Sequence, residues 1–222
     1  MGLKDPVLRF PQKFGHPGTA NCTRHYFTQA TDHFTSAMPP LGTMTFQQRY
    51  YVCGAAYRTH AAGPIFFYVG NEADVTLYVN ATGLMWESAA AFGALMVFAE
   101  HRYFGESLPF GNETSKYMQF LSTEQALADY ATLVYMLRTN GTVLPHGPAV
   151  NSAFIGFGGS YGGMLASWLR IKYPSAIDGV IAASAPIESF LGESPGALGA
   201  SDSVRPLFTR FTVFTGPMLY SL

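Results

Sequence analysis

The stretch Gly156-Phe157-Gly158-Gly159-Ser160-Tyr161-Gly162-Gly163 decides the fold of this 222-residue chain. An apolar run precedes it and a helical pattern follows it, so a serine lies between a strand and a helix. Small residues two positions before and after Ser160 let neighbouring backbone pass close by, as a nucleophile elbow requires. The N-terminus of the following helix would favour negative charge that develops beside the hydroxyl. The pattern therefore predicts that Ser160 is a nucleophile.

A glycine-rich turn that cradles phosphate is the alternative interpretation of the same stretch. It fits poorly, because Tyr161 occupies the third glycine position of G-x-G-x-x-G. A Gly-Lys-Ser/Thr string is also absent from the sequence. The spacing favours the elbow.

Strands and helices alternate along the chain. Aromatic and β-branched residues at 25–34 and 47–57 predict an antiparallel pair. Continuous apolar runs predict buried strands, and helical spacing with caps predicts helices. These strands lie at 64–69, 95–99, 153–157 and 179–183, and the helices at 84–92, 122–140 and 161–172. This order predicts a mostly parallel, doubly wound sheet of about six strands, which matches the α/β-hydrolase order with the elbow after the fifth strand.

The second of these helices has the clearest start. Ser122-x-x-Gln125 predicts a capping box, in which each side chain bonds the backbone of the other residue. Asn140-Gly141 predicts its end.

Composition excludes several classes of protein. With 48% hydrophobic and 12% charged residues, the chain can bury a sizeable core. A net charge of -1 gives no electrostatic reason to expect a nucleic-acid partner. No apolar run is long enough to predict a membrane span. The six histidines are scattered without His-Glu-x-x-His or Cys-x-x-Cys spacing, so neither a metal nor another cofactor is expected.

Asparagine usage indicates a compartment. Four of the six asparagines begin an N-x-[ST] sequon, which predicts a glycosylated protein of the secretory or lysosomal route. The four are Asn21, Asn80, Asn112 and Asn140. No signal peptide is visible at the start of the sequence. Cys22 and Cys53 could form a disulfide in an oxidising compartment, or Cys53 could be a small core residue.

Several longer strings resemble one family. They include Gln29-Ala30-Thr31-Asp32-His33-Phe34, a segment at 66–74, a segment at 98–111, Thr123-Glu124-Gln125-Ala126-Leu127-Ala128-Asp129-Tyr130 and a segment at 158–166. Together they closely resemble the prolylcarboxypeptidase and dipeptidyl-peptidase II family of lysosomal serine peptidases. The resemblance runs from about His25 to Ile187 and ends beyond Phe190. It implies an α/β-hydrolase fold with a helical insertion after the sixth strand.

The resemblance also implies a function. Members cleave peptides next to proline near one end, and Ser160 matches their nucleophile. Their catalytic Asp and His lie downstream of the insertion, beyond the last residue of this sequence. We therefore expect an incomplete chain that is inactive by itself, and a homodimer of the longer protein is compatible with the family. Whether such a protein attacks the amino or the carboxyl end stays open.

The resemblance divides the sequence into three regions. Residues 1–24 are predicted to be an N-terminal extension, 25–190 a partial hydrolase domain, and 191–222 a divergent or truncated tail. A truncated, non-catalytic product that associates with a partner through the exposed edge of its sixth strand is the alternative function. A lipase or esterase is a third, disfavoured because no His-Gly-Gly-Gly-type loop is present.

Five further residues are candidates for the site beside Ser160. The backbone N–H of Tyr161 is a predicted oxyanion donor, because it follows the nucleophile. The loop after the third strand would supply the second donor and contacts to substrate, through Gly70, Asn71, Glu72 and Asp74. A hydrogen-bonded turn with a helix cap is the alternative for the polar members.

Two histidines lie within the family strings. His33 and His101 precede Ser160, whereas the hydrolase base follows the nucleophile and the acid in chain order. Both are therefore expected to be structural.

Overall fold

A computed structural model describes residues 18–35, 42–140 and 142–187, together with the backbone of a strand at 211–215. Its strands are β1 (Cys22–Ala30), β2 (Thr45–Cys53), β3 (Ile65–Val69), β4 (Leu95–Ala99), β5 (Phe154–Gly159), β6 (Gly179–Ala183) and β7 (Phe211–Thr215). Its α-helices are α1 (Val75–Ala81), α2 (Gly83–Phe92), α3 (Thr123–Thr139) and α4 (Tyr161–Lys172).

The seven strands form one mixed sheet in the order β1-β2-β4-β3-β5-β6-β7. The four central strands are parallel, whereas β1, β2 and β7 run antiparallel to their neighbours. The predicted doubly wound sheet with two antiparallel strands in front of it is confirmed. Because the central strands share a direction, the elbow after β5 lies at their carboxyl ends, where ligands bind in open α/β sheets.

Two apolar layers cover the sheet, one on each face. Successive side chains of β3 point alternately into the two layers. Phe67 packs with α3 and α4 on one face, and Phe66 packs with α1 and α2 on the other. Every residue of β3 and β4 is buried. This is why these strands are continuous apolar runs in the sequence.

The antiparallel pair differs from its predicted bounds at both strands. β1 begins at Cys22 and ends at Ala30, and β2 ends at Cys53. The pair is held by a disulfide, since Cys22 lies directly opposite Cys53 in the register with their Cα atoms 4.1 Å apart. The sequence left this pairing open, and the structure places both cysteines in the bond.

Helix α1 was not predicted from the sequence. Asp74 begins it, with its side chain accepting a hydrogen bond from the Thr76 backbone N–H at 2.9 Å. The helix has only seven residues and contains three β-branched ones, which weakens its sequence signal. Helix α2 ends as predicted at Gly93, which adopts a left-handed conformation with φ 61°.

Only half of the predicted capping box forms. Ser122 Oγ accepts a hydrogen bond from the Gln125 N–H at 3.3 Å. The Gln125 side chain does not return to the Ser122 backbone. It donates to Asp32 at 2.6 Å and accepts from the His33 N–H at 3.0 Å, so it fastens the segment after β1 to the start of α3.

The tail contains one described strand, which corrects two expectations. β7 pairs antiparallel with β6 over Phe211–Thr215, so the sheet has seven strands rather than six. The edge of β6, which we expected to be exposed, is therefore covered. The rest of the predicted tail and most of the N-terminal extension lie outside the described residues.

Candidate active site

Ser160 lies in the tight turn between β5 and α4. Its backbone has φ 55° and ψ -127°, a combination that non-glycine residues rarely adopt. Two hydrogen bonds hold this conformation: the Ser160 N–H donates to Ala183 at 2.9 Å, and its carbonyl accepts from the Met164 N–H at 3.1 Å. The residue is exposed. These are the properties of a nucleophile elbow, in which backbone strain presents the hydroxyl to substrate.

The glycines around Ser160 allow this turn to close. A Cβ atom at Gly158 would overlap the carbonyl oxygen of Gly162. A Cβ atom at Gly162 would approach the Val69 carbonyl oxygen to 2.9 Å and the Asn71 side chain to 3.2 Å. The spacing around the serine is therefore required by contacts with backbone, which cannot move aside as a flexible side chain can.

We expect Gly158→Ala to destabilise the elbow and Gly159→Ala to be tolerated. The first methyl group collides with the Gly162 backbone, whereas at Gly159 the nearest atom is 3.9 Å away. Overpacking of this kind costs about 1–3 kcal/mol. Urea unfolding midpoints of the two variants measure the difference. Equal midpoints would show that the turn relaxes without cost.

The candidate oxyanion donors meet at the elbow. Tyr161 is the first residue of α4, where backbone N–H groups lack partners within the helix. Asn71 is buried beside Gly162, as the approach to its side chain shows. The turn that carries Asn71 is held by α3, because Tyr130 Oη donates to the Gly70 carbonyl oxygen at 2.8 Å. The structure thus brings the two predicted segments together.

Glu72 and Asp74 differ in their surroundings. Glu72 is exposed and accepts a hydrogen bond from Asn71 Nδ2 at 2.9 Å. Its charge is one of the causes that raise the pKa of Tyr161, after burial of that phenol. Glu72 therefore lies close to Tyr161 and to the elbow.

Asp74 is engaged elsewhere. Besides capping α1, it forms an ion pair with Arg49 at 2.7 Å. Burial raises the pKa of Asp74, but hydrogen bonds from Thr76 and Arg49 outweigh this and hold the pKa below its ordinary value. The helix cap, which was the structural alternative, accounts for Asp74.

His101 is buried and contacts Tyr161, the residue that follows Ser160. Its Nδ1 lies 2.6 Å from the Arg102 carbonyl oxygen, and because a carbonyl only accepts, Nδ1 donates. Nε2 then accepts from Tyr161 Oη at 3.3 Å. Thr123 Oγ1 lies 3.5 Å from the same phenol oxygen. His101 and Thr123 together hold the Tyr161 ring, a role that the sequence pattern did not indicate.

His33 is also structural in its contacts. Its Nε2 lies 2.7 Å from Asp129 Oδ1, and Asp129 in turn binds Arg102. Both nitrogens of His101 are engaged away from Ser160, and Nε2 of His33 donates to Asp129. Neither is placed as a catalytic base.

The family model described as "Serine carboxypeptidase S28" matches residues 29–193. The chain belongs to the serine carboxypeptidase S28 family. The S28 chain is 47% identical over 168 residues to a human protein named lysosomal Pro-X carboxypeptidase, covering 74% of this chain and 32% of that protein. The mouse protein of the same name is 46% identical over 173 residues, covering 77% of this chain and 33% of its own length.

The S28 chain thus spans about a third of the length of the curated relatives it matches. Among solved structures, an epoxide hydrolase from Vigna radiata shares the fold with a TM-score of 0.51 and 10% sequence identity, covering 82% of this chain and 44% of that one. The α/β-hydrolase fold and the predicted family are confirmed.

Two further findings concern metal sites and membrane-spanning helices. Within the described ranges, no group of three or more His, Cys, Asp or Glu side chains could hold a metal ion. No helix among those same residues is long and apolar enough to cross a membrane.

We expect acid to destabilise the S28 chain through His101. Burial lowers the pKa of His101 and outweighs the hydrogen bond to Arg102, which raises it. The unfolded chain therefore binds this proton more readily, so stability falls as pH drops below about 6.5, by up to ~1.4 kcal/mol per pH unit, until the folded pKa is reached. Urea midpoints between pH 7.5 and 5 should fall less steeply in His101→Gln. A slope unchanged by the substitution would contradict the prediction.

Proposed function

We propose that this chain carries the nucleophile of a serine exopeptidase that cleaves peptides next to proline. One observation carries the proposal: Ser160 is exposed at a strained turn between β5 and α4 in a chain of the S28 family. The name Pro-X carboxypeptidase, borne by several relatives that are 46–48% identical, supports proline as the recognised residue.

The expected reaction is acyl transfer. A histidine from a part of the protein outside the described residues would accept the proton of Ser160 Oγ, which attacks the scissile carbonyl carbon. The Tyr161 N–H and the turn at 70–72 would stabilise the oxyanion of the tetrahedral intermediate. The leaving group departs with a proton, and water then releases the acyl group from the serine.

The names of the relatives favour attack at the carboxyl end of the peptide. One observation favours the amino end instead: Glu72 is an exposed carboxylate beside the elbow, suited to an ammonium group.

The test compares two prolyl peptides, one blocked at its amino end and one amidated at its carboxyl end. The enzyme is this chain extended to the length of its relatives. A Pro-X carboxypeptidase cleaves only the first peptide, and a dipeptidyl-peptidase cleaves only the second. Glu72→Gln should raise KM for the substrate with a free amino end if Glu72 binds ammonium. Failure to cleave either peptide would refute the proposal.

We also propose a lysosomal or secreted location, supported by the four exposed sequon asparagines and by the lysosomal names of relatives. The mass of the native protein before and after removal of N-glycans tests both the location and the length of the chain. The alternative function is association with a partner through the edge of β6; because β7 pairs with that edge, we favour the peptidase.

A further inference from the structure

The first sequon lies at the start of β1, and its residues contact the end of β2 or Gly54, the residue that follows β2. Cys22, its middle residue, forms the disulfide with Cys53. Asn21 accepts a hydrogen bond through its backbone carbonyl oxygen from the Gly54 N–H at 3.4 Å. The Asn21 residue itself is exposed.

The hydroxyl of the sequon is engaged as well. Thr23 Oγ1 lies 3.4 Å from the Val52 carbonyl oxygen and 2.8 Å from His25 Nε2. An enzyme that glycosylates Asn21 must detach this tripeptide from β2 in order to bind its asparagine and threonine side chains together. The folded pair opposes that step at each of the three positions.

We propose that closure of the Cys22–Cys53 disulfide decides whether Asn21 is glycosylated: the glycan is added only while both thiols are reduced. The proposal rests on the secretory route proposed above. Glycosyl transfer from a lipid diphosphate-linked oligosaccharide forms the bond between the anomeric carbon and Asn21 Nδ2. It breaks the anomeric carbon–oxygen bond and releases the lipid diphosphate and one amide proton.

Closure of the disulfide is a separate reaction. In thiol–disulfide exchange with an oxidised dithiol oxidoreductase, the thiols of Cys22 and Cys53 lose two electrons and two protons, and the disulfide of the oxidoreductase becomes a dithiol. Once closed, the bond keeps the two Cα atoms within about 7 Å of each other. The end of an unbridged strand opens readily, because terminal segments unfold locally at little cost. The disulfide prevents this local unfolding of the strand end at Asn21.

The dependence runs in one direction. Cys53 is fully buried, whereas Asn21 is exposed, so a glycan already attached to Asn21 does not obstruct closure. The order of the two reactions therefore fixes the outcome: early oxidation leaves Asn21 bare, and late oxidation permits a glycosylated, bridged protein.

The other three sequons provide internal controls. Their middle residues are Ala81, Glu113 and Gly141, so none can be closed by a disulfide. Asn80, Asn112 and Asn140 are all exposed. Asn80 Oδ1 accepts from the Thr19 N–H at 3.2 Å, and this contact leaves Nδ2 for a glycan.

The test expresses the full chain behind a cleavable secretory leader in glycosylating cells and measures occupancy of each sequon by mass spectrometry. Cys53→Ser leaves the sequon Asn21-Cys22-Thr23 intact and frees it from the bridge. We expect occupancy of Asn21 to rise at least about twofold in this variant, as the strand end regains local opening. Occupancy of the other three sequons should stay unchanged. A brief treatment of the cells with dithiothreitol should reproduce the rise in the unsubstituted chain.

Val52→Ala separates the bridge from general stability. It loosens the core beneath β2 but keeps both cysteines, so Asn21 should remain as bare as in the unsubstituted chain. An equal rise in Val52→Ala and Cys53→Ser would overturn the proposal, as would an occupancy of Asn21 that stays unchanged when Cys53→Ser removes the bridge. Absence of glycan at all four sequons, in contrast, would refute the secretory route itself.

Discussion

Ser160→Ala is expected to reduce kcat for a prolyl peptide by about a million-fold in a protein that carries this chain together with its acid and base. The alanine removes the hydroxyl oxygen that we propose as the attacking atom and leaves the proposed oxyanion donors in place. KM should change little, because binding of the ground state does not need the hydroxyl. Steady-state hydrolysis of a fluorogenic prolyl peptide measures both constants.

A matched serine provides the control for this experiment. Ser115 is also exposed but lies in a short 3-10 helix, Gly111–Lys116, away from the turn between β5 and α4. Ser115→Ala should retain the activity of the unsubstituted protein. Retention of substantial activity by Ser160→Ala would show that another residue is the nucleophile and that the elbow is only structural.

The 222-residue chain by itself is expected to show no measurable turnover. Four of its described histidines have a ring nitrogen bound to a group other than Ser160, which leaves none of these four positioned as a base. They are His25 with Thr23, His33 with Asp129, His101 with Arg102 and Tyr161, and His146 with Arg58. Hydrolysis by the purified chain that disappears in Ser160→Ala would contradict this expectation.

The elbow could be predicted from sequence because its determinants are local. Gly158 and Gly162 are needed within a few residues of Ser160, and the apolar strand and the helix lie on either side. Helix α1 escaped prediction for the opposite reason. Its own residues favour a strand, and the helix depends on the Asp74 cap and on burial of Val75 and Val79 against the sheet.

The contacts of the segment Glu100-His101-Arg102 could not be derived from its local sequence. Its partners lie far along the chain and meet only in the fold. Glu100 accepts from Arg49 Nε at 3.2 Å and from the Val75 N–H at 3.0 Å. Since strand register and loop path decide such pairs, the sequence predicted a structural role for His101 but could not identify the partners of the segment.

The Cys22–Cys53 pair illustrates the same limit. Both cysteines were visible, but a bridge needs them to face each other, and the predicted first strand began three residues too late to place Cys22 in the sheet. The observed register puts the two residues opposite each other. A one-residue slip would have moved the thiols to different faces.

Asp129→Asn is expected to lower the free energy of unfolding by about 3–5 kcal/mol, the usual cost of breaking a buried ion pair. The Arg102 guanidinium donates to both Asp129 oxygens, at 2.7 and 2.8 Å, and both side chains are almost fully buried. An asparagine offers one acceptor and no charge, so the arginine cation stays in the interior without compensation. Urea unfolding at neutral pH measures the loss.

Two controls show whether uncompensated charge is the cause. Glu113→Gln removes an exposed partner of Lys116, so its midpoint should match that of the unsubstituted chain. In the double variant Asp129→Leu, Arg102→Met, both charges are absent, and stability should recover relative to Asp129→Asn, because the desolvation penalty disappears with the cation. A double variant less stable than Asp129→Asn would instead assign the loss to the hydrogen bonds that Arg102 donates to the Ala30, Thr31 and Phe120 carbonyls. In that case Arg102 would stabilise the fold chiefly by joining the end of β1 to the segment at Phe120, with Asp129 serving to orient it.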